Sequence, residues 1–163
     1  MTQAKYLFNS LPLYILFFAT LFFVSCTDDS EVVPNDNATE NTIGSFSSGI
    51  FVVNEGNFGA ADGSISFIDS EGIVQNDVFS ENNALLPLGD VVQSMYLRDT
   101  LAFILVNNSN KVEVVDVDEM KVLHTISEVS LPRYMISEGD YGYISEWVSF
   151  TDPGRISILD LKT

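Results

Sequence analysis

Aromatic and amide groups set in polar loops are the side chains best suited to gripping a ligand in this chain of 163 residues. Phe58, Trp147 and Phe150 stand beside Asn54, Glu55, Asn57, Glu146 and Asp152, a mixture that stacks on a planar or sugar ring while hydrogen-bonding its edge. The same rings could instead plug gaps between packed sheets. Arg133, directly after Pro132, is placed either to hold an anionic group or to neutralise acids such as Glu128. The candidate ligand-binding set is therefore Asn54, Glu55, Asn57, Phe58, Arg133, Glu146, Trp147 and Phe150.

Other chemistry finds less support. His124 is the only histidine and has no cysteine or second histidine nearby, which reads as a surface residue rather than a metal ligand. Asp116-Val117-Asp118-Glu119 lacks the alternating oxygen ligands and the glycine of a calcium loop and reads as a solvated turn. No Ser-His-Asp set can be assembled, and no spacing singles out a pair of carboxylates for hydrolysis. No metal, no cofactor and no enzymatic activity are expected. Nucleic acid is excluded on charge: 23 acids against 7 bases give a formal −16, and Arg98, Lys111, Lys121, Arg133, Arg155 and Lys162 are scattered among the acids.

The elements that must position these residues follow from repetition. Ile65-Ser66-Phe67-Ile68-Asp69, Val112-Glu113-Val114-Val115-Asp116 and Ile156-Ser157-Ile158-Leu159-Asp160 share one template of apolar, polar, apolar, apolar and Asp, 47 and 44 residues apart. Upstream of each lies an aromatic residue leading a strand-like run, at Phe51-Val52-Val53-Asn54, Phe103-Ile104-Leu105-Val106 and Tyr143-Ile144-Ser145-Glu146. Met95-Tyr96-Leu97 and Tyr134-Met135-Ile136 recur 39 residues apart. Period-two alternation broken by Gly, Asn, Asp and Ser turns makes strands throughout, with essentially no helix in the folded domain. A unit of about 40 to 50 residues built from four short strands is the pattern of a β-propeller blade.

Lettered outward from the centre, the complete repeat has strand A at about Gln93 to Leu97, B at Leu101 to Val106, C at Lys111 to Asp116 and D at Lys121 to Ile126. Antiparallel order places the tight A-B and C-D turns on one face and the B-C and D-A connections on the other. The long connections, Glu55 to Gly63, Ser80 to Val91 and Trp147 to Gly154, all fall on the second face. Val112 and Val114 then point to one side of their sheet while Val115 and Val117 point to the other, as in a blade covered on both sides. The count is ten strands, about two and a half to three four-stranded blades, so an all-β, incomplete propeller is expected. It reads as the N-terminal part of a longer ring or of a gene cut short, with an apolar blade face and unpaired edges left in water.

The first quarter is different material. Tyr6 to Val24 is almost wholly apolar after a start carrying Lys5, and its densest part is a signal-type core rather than a span of about 20 apolar residues. Cys26 is the only cysteine, so no intrachain disulfide can form. Phe23-Val24-Ser25-Cys26 resembles a bacterial lipobox, which implies cleavage before Cys26 and lipid on its thiol. Thr27-Asp28-Asp29-Ser30-Glu31 resembles the acidic export signal of Bacteroidetes surface lipoproteins. Residues 27–48 hold five acids and no base, a composition that cannot bury enough apolar area to offset its ordering entropy, and read as a flexible tether. The expected organisation is a signal peptide over 1–25, a tether over 26–48 and a partial propeller over 49–163.

Phe51-Val52-Val53-Asn54, leading to the Ile-Asp of the next strand, resembles the YVTN repeat of YncE-like seven-bladed propellers. Asn54-Glu55-Gly56-Asn57-Phe58-Gly59 is similar to the opening of Bacteroidetes surface lipoproteins with this fold. That resemblance implies a lipid-anchored protein of the outer membrane, exposed at the cell surface, which captures a small molecule, corrinoid or glycan and hands it to a TonB-dependent transporter. An adhesion or surface-layer module is the alternative, and a propeller enzyme of lactonase or quinoprotein type the third reading. Asp99-Thr100-Leu101 fits the Bacteroidetes O-glycosylation pattern, with Thr100 as acceptor; a plain hairpin turn is the competing reading.

Overall fold

Among the described residues, short runs of β-branched and aromatic residues between polar turns yield ten strands: β1 (Gly49–Asn54), β2 (Ser64–Asp69), β3 (Val74–Gln75), β4 (Val92–Arg98), β5 (Leu101–Val106), β6 (Lys111–Asp116), β7 (Val122–Ile126), β8 (Pro132–Glu138), β9 (Tyr141–Glu146) and β10 (Arg155–Asp160). A short helix, α1 (Val78–Asn82), lies between β3 and β4. The computed structural model describes Phe46 and residues 48–162. The strands form three antiparallel sheets in the orders β1-β2-β3, β4-β5-β6-β7 and β10-β9-β8. In blade lettering these are B-C-D, A-B-C-D and A-B-C, an incomplete propeller-like stack in which each sheet is a blade.

The template residues have separable jobs. Its closing aspartate bonds the backbone that follows strand C each time. Asp69 Oδ1 accepts the backbone N–H groups of Glu71 and Ile73, both at 2.9 Å. Asp116 Oδ1 accepts those of Asp118 and Glu119 at 2.9 and 3.0 Å, and Asp160 Oδ1 that of Lys162 at 3.1 Å. A short carboxylate bonding its own backbone two residues on is the local chemistry that ends a strand in a turn.

Two apolar layers lie between the sheets. One packs Ile65 and Phe67 of the first blade against Ala102, Ile104, Val106 and Val115 of the second, with Val117 at its margin. The other packs Phe103, Leu105, Val112 and Val114 of the second blade against Met135 and Ile144 of the third. Val112 and Val114 therefore serve one junction while Val115 and Val117 serve the other, as alternation requires. Each fully buried Ile or Phe here contributes about 1.5–3 kcal/mol relative to exposure. The outer faces of the stack stay exposed, through Ile50 and Val52 on the first blade and Tyr134, Ile136, Ile156 and Ile158 on the third.

Three details differ from the sequence expectation. Helix α1 was not expected; five residues are too few to show a period, and tertiary packing of buried Val78 and Phe79 holds them in place. The A strands align 40 residues apart, not 39, because Met95 pairs with Ile104 and Met135 with Ile144. A slip of one residue would have turned every side chain of the strand to its opposite face. Phe46, placed by composition in the tether, is buried, with its ring 5.1 Å from Phe67 in an edge-on contact. A single aromatic in a polar run carries no periodicity to announce such burial.

Candidate binding face

The B-C ends of the blades carry a shared polar position. Register places the last residue of strand B opposite the first of strand C, as Asn54 with Ser64 and Glu146 with Arg155. The polar second residue of the template follows on the same face. In the first blade Asn54 Nδ2 donates to Ser64 Oγ at 3.2 Å and to Ser66 Oγ at 2.9 Å, and Ser66 donates onward to Asn76 at 3.0 Å. In the second, buried Glu113 accepts from Lys111 Nζ and from Thr125 Oγ1, both at 2.6 Å. In the third, buried Glu146 accepts from the Ser157 hydroxyl, from Ser130 N–H at 2.7 Å and from Arg155, whose Nη2 lies 2.8 Å away. Burial pushes the Glu146 carboxyl up, but the Ser157 hydroxyl, the Arg155 guanidinium and the Ser130 N–H together hold it below the ordinary glutamate value.

These anchors set the loops. The 55–63 loop is pinned where Asn57 donates its backbone N–H and its Nδ2 to Asp62, at 2.6 and 2.8 Å, bonds that hold the Asp62 carboxyl below its usual range. Gly59 N–H donates to both oxygens of buried Asp90, at 3.0 and 2.9 Å, and Asn108 Nδ2 donates to the same carboxylate. Gly89 stands beside it with φ +135°, where an added Cβ would lie 2.7 Å from Ser109 Oγ. The side chains of Asn107 and Asn110 tie the second blade to the third: Asn107 Nδ2 donates to the Pro132 carbonyl at 3.0 Å, and Asn110 Oδ1 accepts Leu131 N–H at 2.8 Å.

In the third blade, three predicted residues come together. Trp147 and Phe150 meet with ring centroids 4.5 Å apart and planes at 67°, and Arg133 Cζ lies 5.8 Å from the Trp147 ring centre. Phe150 is 88% exposed, which leaves most of its ring without a protein neighbour. The loop below them is tight: Trp147 N–H bonds the Leu131 carbonyl at 3.1 Å, and Ser149 Oγ bonds Asp152 at 2.7 Å. Val148 takes φ 70°, a left-handed conformation that a β-branched residue rarely adopts. Strand pairing skips Arg133, because Pro132 opposes Glu146 and Tyr134 opposes Ser145. The extra residue re-aims its side chain.

The other candidates fall elsewhere. Phe58 is exposed at the tip of the first B-C loop, and Glu55 contributes its backbone carbonyl to Val92 N–H at 3.1 Å. The side chains of Asn54, Asn57 and Glu146 hold the loops' own structure. Thr100 is exposed in the β4–β5 turn, and its carbonyl accepts Val117 N–H at 2.9 Å. Cys26 lies outside the described residues. Among the described residues no group of three or more His, Cys, Asp or Glu could hold a metal ion.

Sequence reasoning missed Asp90, the Asn107 to Asn110 turn, Ser130 and Arg155. The run Asn107-Asn108-Ser109-Asn110 was the available signal, since amides and hydroxyls concentrate where backbone groups need partners. A cleft of about 680 Å³ lies near the opposite turns and is lined by Leu101, Phe103, Val114, His124, Ile126 and Leu159 among others. Much of that lining is the apolar surface that packs the second blade on the third, continued past the end of the layer. We read it as sheet-packing surface.

Residues 48–163 match the family model described as Domain of unknown function (DUF5074). The chain belongs to this family. The matched region covers all ten strands and both long B-C loops, so the anchored loops are part of the family domain. No curated protein matches the chain.

Proposed function

We propose that this protein is a lipid-anchored cell-surface binding protein, built on a YncE-like propeller of the Bacteroidetes type, which captures a small molecule or glycan on its B-C and D-A loop face and delivers it to a TonB-dependent uptake system. The observation that carries the reading is the Trp147–Phe150 pair, exposed on a loop whose base is fixed by a buried, fully bonded Glu146. An exposed aromatic pair on a stiff loop loses little entropy on binding, and a scaffold that holds loops rigid is where recognition is usually placed. The lipobox-like Cys26 and the acidic run after it support the surface location; the absence of a clustered catalytic set in the spacing favours capture over turnover. A formal −16 over the whole sequence suits a domain held off an anionic cell surface. Titration of the intact protein by calorimetry against a panel of neutral and acidic oligosaccharides and corrinoids tests the reading. Saturable binding by one class is expected, and no binding across the whole panel overturns it.

A further inference from the structure

We infer that the third-blade loop face recognises a ring that carries a carboxylate, with acidic saccharides as the ligand class. This rests on the binding reading above and goes further, to the chemistry of the bound group. Among the described residues Arg98, Lys111, Lys121, Arg155 and Lys162 each meet a carbonyl or carboxylate oxygen. Arg133 alone meets none, in a chain where acids outnumber bases 23 to 7. Its backbone is pinned by Ser94, whose hydroxyl donates to the Arg133 carbonyl at 2.6 Å, and the bulge turns its guanidinium over Trp147.

A guanidinium set against a ring face keeps its N–H donors at its edges, where a carboxylate binds them in pairs. The overall negative charge does not forbid this: at physiological salt, screening acts over about 8 Å, so a contact pair answers to its immediate neighbours. The ring arrangement selects among anions. Planes at 67° make a corner rather than a parallel slot. A corner offers its exposed faces to the C–H surface of a puckered sugar, whereas a flat aromatic anion can stack on only one of the two rings and must meet the other edge-on.

The test is calorimetric titration of the intact protein with trigalacturonate, with its methyl ester, which keeps the rings and removes the charge, and with benzoate, a flat anion. The acid is expected to bind at least tenfold more tightly than the ester or benzoate. Arg133→Gln should bring the acid to the level of the ester, while Trp147→Ala should weaken both. Equal affinity for acid and ester, or an acid preference that survives Arg133→Gln, overturns the inference while leaving the binding reading in place. Tighter binding of benzoate overturns the saccharide class. No binding of any of the three overturns the inference, and only silence across the wider panel also removes the binding reading.

Discussion

The first and third blades each raise a long B-C loop with an exposed aromatic, yet the two loops are built differently. The 55–63 loop is closed by its own Asp62 and by Asp90 from the next connection, and it presents Phe58 singly, with no ring partner among the described residues. The 147–154 loop stands on Glu146 and presents Trp147 and Phe150 as a pair, with Arg133 brought alongside by a bulge. An exposed ring becomes a recognition element when neighbouring groups fix its orientation and add a second kind of contact. A lone ring supplies area only.

That contrast can be broken in order of effect. Glu146→Ala removes the acceptor for Ser130 N–H, Ser157 and Arg155, and should destabilise the domain by about 2–4 kcal/mol in urea or thermal unfolding. A loss below about 1 kcal/mol would show that the third loop is not anchored there. Asp90→Ala frees Gly59 N–H and the Asn108 amide, and should cost about 1–3 kcal/mol, loosening the first loop while leaving the third intact. Amide hydrogen exchange at 55–63 against 147–154 distinguishes the two. Faster exchange in both loops would mean they are not independent.

Trp147→Ala should reduce ligand affinity by about tenfold, roughly 1.4 kcal/mol, with unfolding changed by less than that. Unchanged affinity would take the ring out of the site. The lowered carboxyl of Glu146 gives a pH signature: its stabilisation is present above the ordinary glutamate value and is lost as pH falls through that value toward the lower native one. Thermal scans of the wild type should show this acid-side loss, and Glu146→Gln should flatten that part of the profile. Phe58→Ala, at a ring 82% exposed, should change stability by less than about 0.5 kcal/mol and affinity less than Trp147→Ala does. A larger effect on affinity from Phe58 would reverse the assignment of the two loops.

Much of the blade was legible in order, because strand alternation, the closing aspartate and the sorting of long connections to one face are local or nearly local properties. Ten strands were expected and ten are present among the described residues. The candidate site was legible only by residue type. Arg133, Trp147 and Phe150 were singled out and meet, whereas Glu146 and Asn54, singled out with them, turned inward to bond the neighbouring strand. A carboxylate or amide at a strand end looks the same in a sequence whether it faces solvent or a register partner.

The sequence by itself determined the strands, their turns and the face on which long loops gather, since period-two burial and Asx turns depend on neighbours a few residues away. Only the tertiary structure decided which polar groups are satisfied internally and which remain open to a ligand. Whether Glu146 finds Arg155 and Ser130, and whether a bulge swings Arg133 over a ring, depends on cross-strand register and on the packing of one blade against the next. Register and packing come from burial summed over whole sheets, which no short window of residues contains.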